Sequence, residues 1–137
     1  MSTLKILQAW HQSMQLVSQI YHLVPSESEL SYNLQFRKSA NSISYSITEA
    51  FSKKTTKNYV LHFSQANAVI NELKTQLKLA TETDNLHFTD YLILVNSVTI
   101  VQETLVQVLT KINEQNNQRI KVPILPLNPN LKNDKLI

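Results

Sequence analysis

The stretch Tyr91-Leu-Ile-Leu-Val-Asn-Ser-Val-Thr-Ile-Val101 decides the fold. Its β-branched content suits a strand. Its spacing does not: Tyr91, Leu94, Val98, Val101, Leu105, Val108 and Ile112 recur every three or four residues, which aligns them on one helical face. A strand here would also be solitary, with nothing to pair its backbone N–H and C=O groups. The spacing therefore predicts a helix from about Leu86 to Asn117. Ile93, Ile100 and Val106 fall off its stripe, a second apolar face that a monomeric bundle has no use for and that points to a subunit contact.

Upstream of it, Tyr59, Phe63, Ala66, Ile70, Leu73, Leu77 and Ala80 alternate spacings of four and three, the seam of an antiparallel bundle helix. Thr55 or Thr56 can cap its start, and Asp84-Asn85 close its end, with asparagine tolerating the left-handed backbone that glycine usually takes. A further helix is expected from Ser26 to Lys54, with Leu30, Leu34, Ala40, Ile43, Ile47 and Ala50 inward and Lys53-Lys54 suiting its C-terminus. Ser26, Glu27 and Glu29 supply a hydroxyl cap and first-turn acids. The first helix ends at Pro25; Leu7, Trp10, Met14, Val17, Tyr21 and Val24 form its expected inward stripe, widened by Leu16, Ile20 and Leu23. These segments fold as an all-α, antiparallel up-down-up-down four-helix bundle over residues 1–117, about 35–45 Å long at 1.5 Å per residue. Residues 118–137 carry Pro123, Pro126 and Pro129, which forbid helix, and read as an extended C-terminal tail. Its Ile124, Leu125 and Leu127 either dock on a neighbouring bundle or belong to a mobile end.

At 137 residues the chain fits one domain with its own core. It has no cysteine, which removes disulfides, thiolate metal sites and thiol nucleophiles. It has no glycine either, which removes Walker loops, dinucleotide fingerprints and kinase glycine loops. The N-terminus opens directly into an amphipathic pattern without a signal-peptide core, and Tyr91 to Val101 falls short of the ~20 apolar residues of a membrane span. The expectation is a soluble, cytoplasmic protein.

Catalysis finds no support. His11, His22, His62 and His87 make no HExxH or repeated Glu-x-x-His pattern, Asp84-x-x-His87 lies at a helix connection, and no nucleophile elbow exists. No enzyme activity, cofactor, metal or small-molecule substrate is expected. Glu49 and Glu72 are either buried acids paired with Arg37 or Lys38 or exposed flanking acids.

Charge placement says more than the net +3. Up-down-up-down topology gathers Lys5, Lys53, Lys54, Lys57, Lys111, Arg119 and Lys121 at one end against Glu49 and Glu114. The other end gathers Glu27, Glu29, Glu82, Asp84 and Asp90, with no base expected there. Helix dipoles account for most of this, but Lys5 and Lys57 at helix starts and Glu82 at a helix finish run against them. A basic end suits phosphate backbones; the alternative is a merely solvated end.

Trp10, Ile20-Tyr21, Pro25, Gln35 with Arg37-Lys38, Ser42-Ile43, Ile47 with Glu49, and Glu72-Leu73 occur in an ordered set. The set resembles the bacterial four-helix-bundle proteins first noticed as reading frames in large-subunit rRNA intervening sequences. Ser46-Ile-Thr-Glu-Ala50 stands where that family carries Asn-Ile-Ala-Glu-Gly. The resemblance implies a homopentamer, similarity to the accessory subunit of diversity-generating retroelements, which engages a reverse transcriptase and its RNA, and no enzymatic activity. Five copies would carry +15 and, in a closed ring, present their basic ends on one face. The expected function is a non-enzymatic accessory protein binding nucleic acid, RNA above all, through Lys53, Lys54, Lys57, Lys111, Arg119 and Lys121. The alternative is an oligomeric protein-interaction scaffold that binds no nucleic acid.

Overall fold

A computed structural model describes residues 3–24 and 31–115. It contains α1 (Thr3–Leu23), α2 (Ser31–Lys53), α3 (Thr56–Glu82) and α4 (Phe88–Gln115), with no strand among the described residues. Helix α1 packs on α2 and α4, and α3 packs on the same two, so the helices form a square with antiparallel neighbours. The long β-branched stretch is helical, as its spacing predicts. The expected tail after Gln118, and the expected cap and acids at Ser26, Glu27 and Glu29, lie outside the described residues, as does Leu30.

The stripes of α3 and α4 lie where their spacing puts them. Phe63, Ala66, Ile70, Leu73, Leu77 and Ala80 face Leu94, Val98, Val101, Leu105, Val108 and Ile112 across the core, with Tyr59 and Tyr91 partly buried against it. In α2, Ala40, Ile43, Ile47 and Ala50 are inward as expected, but Leu34 is 64% exposed and Phe36 fills the core instead. Leu34 lies two residues from Phe36, about 200° around the helix, so the two cannot share a face.

The largest correction concerns α1. Its core stripe is Ile6, Ala9, Ser13, Leu16, Ile20 and Val24. Leu7, Trp10, Met14 and Tyr21, expected inward, are 37–49% exposed along the α2 side. Ala9 and Ser13 make the true stripe look weak in sequence, yet both are fully buried. The Ser13 hydroxyl donates to the Trp10 carbonyl at 2.7 Å, so a core serine leaves no unmet donor.

Connections follow from local chemistry. Thr55 is the N-cap of α3, accepting from the Asn58 backbone N–H at 3.2 Å and from Asn58 Nδ2 at 2.7 Å. At the end of α3, Asn85 N–H donates to Ala80 O at 2.7 Å and Asp84 N–H to Thr81 O at 3.2 Å, the paired bonds of a Schellman cap. That cap places Asp84, at φ 62°, in the left-handed position expected of Asn85. Lys54 ends α2 at φ 52°, its N–H donating to Ala50 O at 3.2 Å.

A polar cluster fixes the α3–α4 register. Gln102 Nε2 donates to Asn67 Oδ1 at 3.0 Å and to Asn71 Oδ1 at 2.9 Å, while Lys74 Nζ donates to Gln102 Oε1 at 2.6 Å. Asn67 and Gln102 are buried, so a slip of one residue would strand polar groups in the core. Helix α4 is also long and apolar enough to cross a bilayer, correcting the expectation drawn from Tyr91–Val101 alone. Half of that apolar window is buried inside the bundle, where it closes the core.

Candidate nucleic-acid interface

Two cross-helix hydrogen bonds set the heights of the lysines. Ser97 Oγ donates to Gln19 Oε1 between α4 and α1. Fourteen residues back along α1 is Lys5, and fourteen onward along α4 is Lys111, so these two lysines are level. Between α1 and α2, Ser44 Oγ donates to Met14 Sδ at 3.0 Å. Ten residues from each contact are Leu4 and Lys54, which places the α2–α3 turn at the same height.

The sequence around that turn explains its shape. Lys53 is the last residue of α2, Lys54 turns the chain through its left-handed backbone, Thr55 caps α3 and Lys57 occupies the first turn of α3. The Lys54 ammonium lies 5.9 Å from the Phe51 ring centroid. Lys5, Lys53, Lys54, Lys57 and Lys111 are all exposed. Neither α1 nor α3 has an acid in its first turn, where the helix dipole would favour one. Glu49, half-buried, and Glu114, exposed, are the acids at this end among the described residues. The structure therefore brings five of the expected cations together, while Arg119 and Lys121 lie outside the described residues.

The opposite end holds Glu82, Asp84 and Asp90, but Lys78 sits one turn before Glu82, so that end is not free of bases. Arg37 does not pair with Glu49 or Glu72. Its guanidinium donates to the Val24 carbonyl at 2.6 Å and lies 4.7 Å from the Tyr21 ring centroid. Glu72 is exposed and accepts from Gln76 Nε2 at 3.1 Å. No three His, Asp or Glu side chains converge among the described residues. Burial lowers the Lys74 amine below its ordinary value, and Glu103 opposes the shift.

Apolar side chains are also exposed. On α4, Phe88, Leu92, Ile93 and Ile100 are exposed, whereas Val106, expected with them, is buried by the bundle. On the α1–α2 side, Leu7, Trp10, Thr48, Phe51, Ser52 and Lys54 line an open groove at the basic end. Sequence reading missed this groove because it assigned Leu7 and Trp10 to the core. The signal was present in Ile6, Ala9 and Ser13, spaced as regularly but smaller.

A family profile described as 23S rRNA-intervening sequence protein matches residues 5–107. The chain belongs to this family. No curated protein and no solved structure matches it. The residues that carried the family resemblance divide by role: Ile20, Ile43, Ile47 and Leu73 build the core, while Trp10, Tyr21 and Arg37 sit on the α1–α2 seam.

Proposed function

We propose that this 23S rRNA-intervening sequence family member is a non-enzymatic accessory protein that binds RNA through the end of the bundle carrying Lys5, Lys53, Lys54, Lys57 and Lys111. The observation that carries the reading is the level alignment of these exposed lysines at four helix ends, with Lys5 and Lys57 placed against the local helix dipole. Cations that lose dipole energy by their placement have a use elsewhere, and a phosphate backbone is the partner that rewards several together. Arg119 and Lys121, which follow α4 in sequence, are part of the proposed set.

The working form in this proposal is a closed homopentamer. The exposed α4 face with Leu92, Ile93 and Ile100 supplies the subunit contact. Cyclic symmetry would then repeat each basic end on one rim. A reverse transcriptase is the proposed protein partner, and a reverse-transcriptase gene adjacent to this one would support that assignment.

The test is the triple variant Lys53→Glu, Lys54→Glu, Lys57→Glu, assayed for single-stranded RNA binding across a salt series and for mass by light scattering. RNA affinity is expected to collapse while the mass of the assembly stays the same. Wild-type affinity should fall steeply as salt rises, since each neutralised phosphate releases counterions. Absence of RNA binding by the wild type at low salt, with the assembly intact, would leave the protein-interaction scaffold as the reading.

A further inference from the structure

The α1–α2 seam is bridged by side chains at Tyr21 and Met14 and open at one end. Toward the acidic end, Asn41 Nδ2 donates to Tyr21 Oη at 3.0 Å and the Arg37 guanidinium covers the Tyr21 ring. In the middle, Ser44 Oγ reaches Met14 Sδ. Beyond Met14 no such bridge follows among the described residues, and the seam widens into the groove lined by Leu7, Trp10, Thr48, Phe51, Ser52 and Lys54. The groove therefore opens at the end of the bundle where α4 finishes.

We propose that this groove is the docking site for the chain's own segment Val122-Pro-Ile-Leu-Pro-Leu127. The segment is uncharged and apolar, and Pro123 and Pro126 bias it toward the extended polyproline geometry. Grooves flanked by aromatic rings, as this one is by Trp10 and Phe51, receive such chains because little entropy is lost on binding. The reach is sufficient. By the register of Gln19 and Ser97, Gln115 is level with the start of α1. The groove lies about 20 Å away, one helix spacing across and some eight residues down. Residues 116–122 span about 23 Å when extended. Docked in this way, the segment covers Leu7 and Trp10, and Arg119 and Lys121 are carried across the basic end.

Trp10 is the chain's single tryptophan, so its emission reports directly on the groove. The experiment compares the full chain with the double variant Ile124→Asp, Leu125→Asp and with Leu131→Asp, a tail change outside the segment. The wild type and Leu131→Asp are expected to show blue-shifted emission protected from acrylamide. The double variant should shift to longer wavelength and quench more readily. Unchanged emission in the double variant overturns the proposal, whether the wavelength indicates a groove covered by another copy or one covered by nothing. Because the chain has no cysteine, the pair Leu7→Cys with Ile124→Cys gives a second readout. An intrachain disulfide should form faster than in a Leu92→Cys, Ile124→Cys control; equal rates, or bonds only between chains, overturn the intrachain docking.

Discussion

Arg37 of α2 donates to the Val24 carbonyl at 2.6 Å, closing the end of α1 with a charge-assisted bond from the neighbouring helix. The same guanidinium lies over Tyr21, so the last turn of α1 is held by one side chain through two kinds of contact. A carbonyl at a helix C-terminus carries partial negative charge, which makes a cation its natural partner.

Replacing Arg37 with Ala should therefore destabilise the bundle by about 1.5–3 kcal/mol, the range for a hydrogen bond to a charged group. Arg37→Lys keeps the charge but loses the planar stacking on Tyr21, and should fall between. Denaturant midpoints for the three proteins check the order. An Arg37→Ala midpoint equal to the wild type would remove the cap from the account.

Lys54 and Asp84 occupy left-handed backbone that glycine takes at lower cost. Lys54→Gly and Asp84→Gly should each stabilise the protein by about 1 kcal/mol. Their functional effects should differ: Lys54→Gly removes a cation of the basic end and should weaken RNA binding, whereas Asp84→Gly at the opposite end should leave it unchanged. Thermal melts and a binding titration separate the two effects.

Gln102 joins Asn67, Asn71 and Lys74 across the α3–α4 interface. Gln102→Leu takes a donor from two asparagines and an acceptor from a lysine, and should cost about 1–3 kcal/mol despite adding an apolar side chain. A Leu variant as stable as wild type, measured by urea unfolding, would show the cluster to be dispensable for stability.

Burial lowers the Lys74 amine below its usual value, so the unfolded chain holds this proton to higher pH than the folded one. Between the lowered folded value and the unfolded value near 10.5, stability should rise with pH on account of this group. Lys74→Met should lack that component. The difference in unfolding free energy between wild type and variant, followed through the alkaline range, is expected to move in favour of the wild type.

Much of this was legible in the sequence, and the failures share a cause. The stripes of α3 and α4 were readable because each has one dominant set of large apolar residues, ending in core side chains such as Phe63 and Leu105. Helix α1 has two such sets. The larger, Leu7, Trp10, Met14 and Tyr21, drew the inward assignment, while the core took the set containing Ala9 and Ser13. Among the site residues, the basic end was visible because charge and connection order suffice to locate it. The polar cluster around Gln102 was not, because Asn67, Asn71 and Lys74 are the residue types that solvent-facing positions normally hold.

By itself, then, the amino-acid order determined four helices, where the α2–α3 and α3–α4 junctions fall, and the gathering of five lysines at one end, because periodicity, capping and charge are properties of a chain and its neighbours in sequence. Only the assembled bundle decided which of two competing faces of α1 turned inward, that Arg37 would reach Val24 and not an acid, and that Asp84 and not Asn85 would bend backward. Those outcomes depend on how closely surfaces from different helices fit together and on which hydrogen bonds close as they meet, and neither is contained in the spacing of residues along one segment.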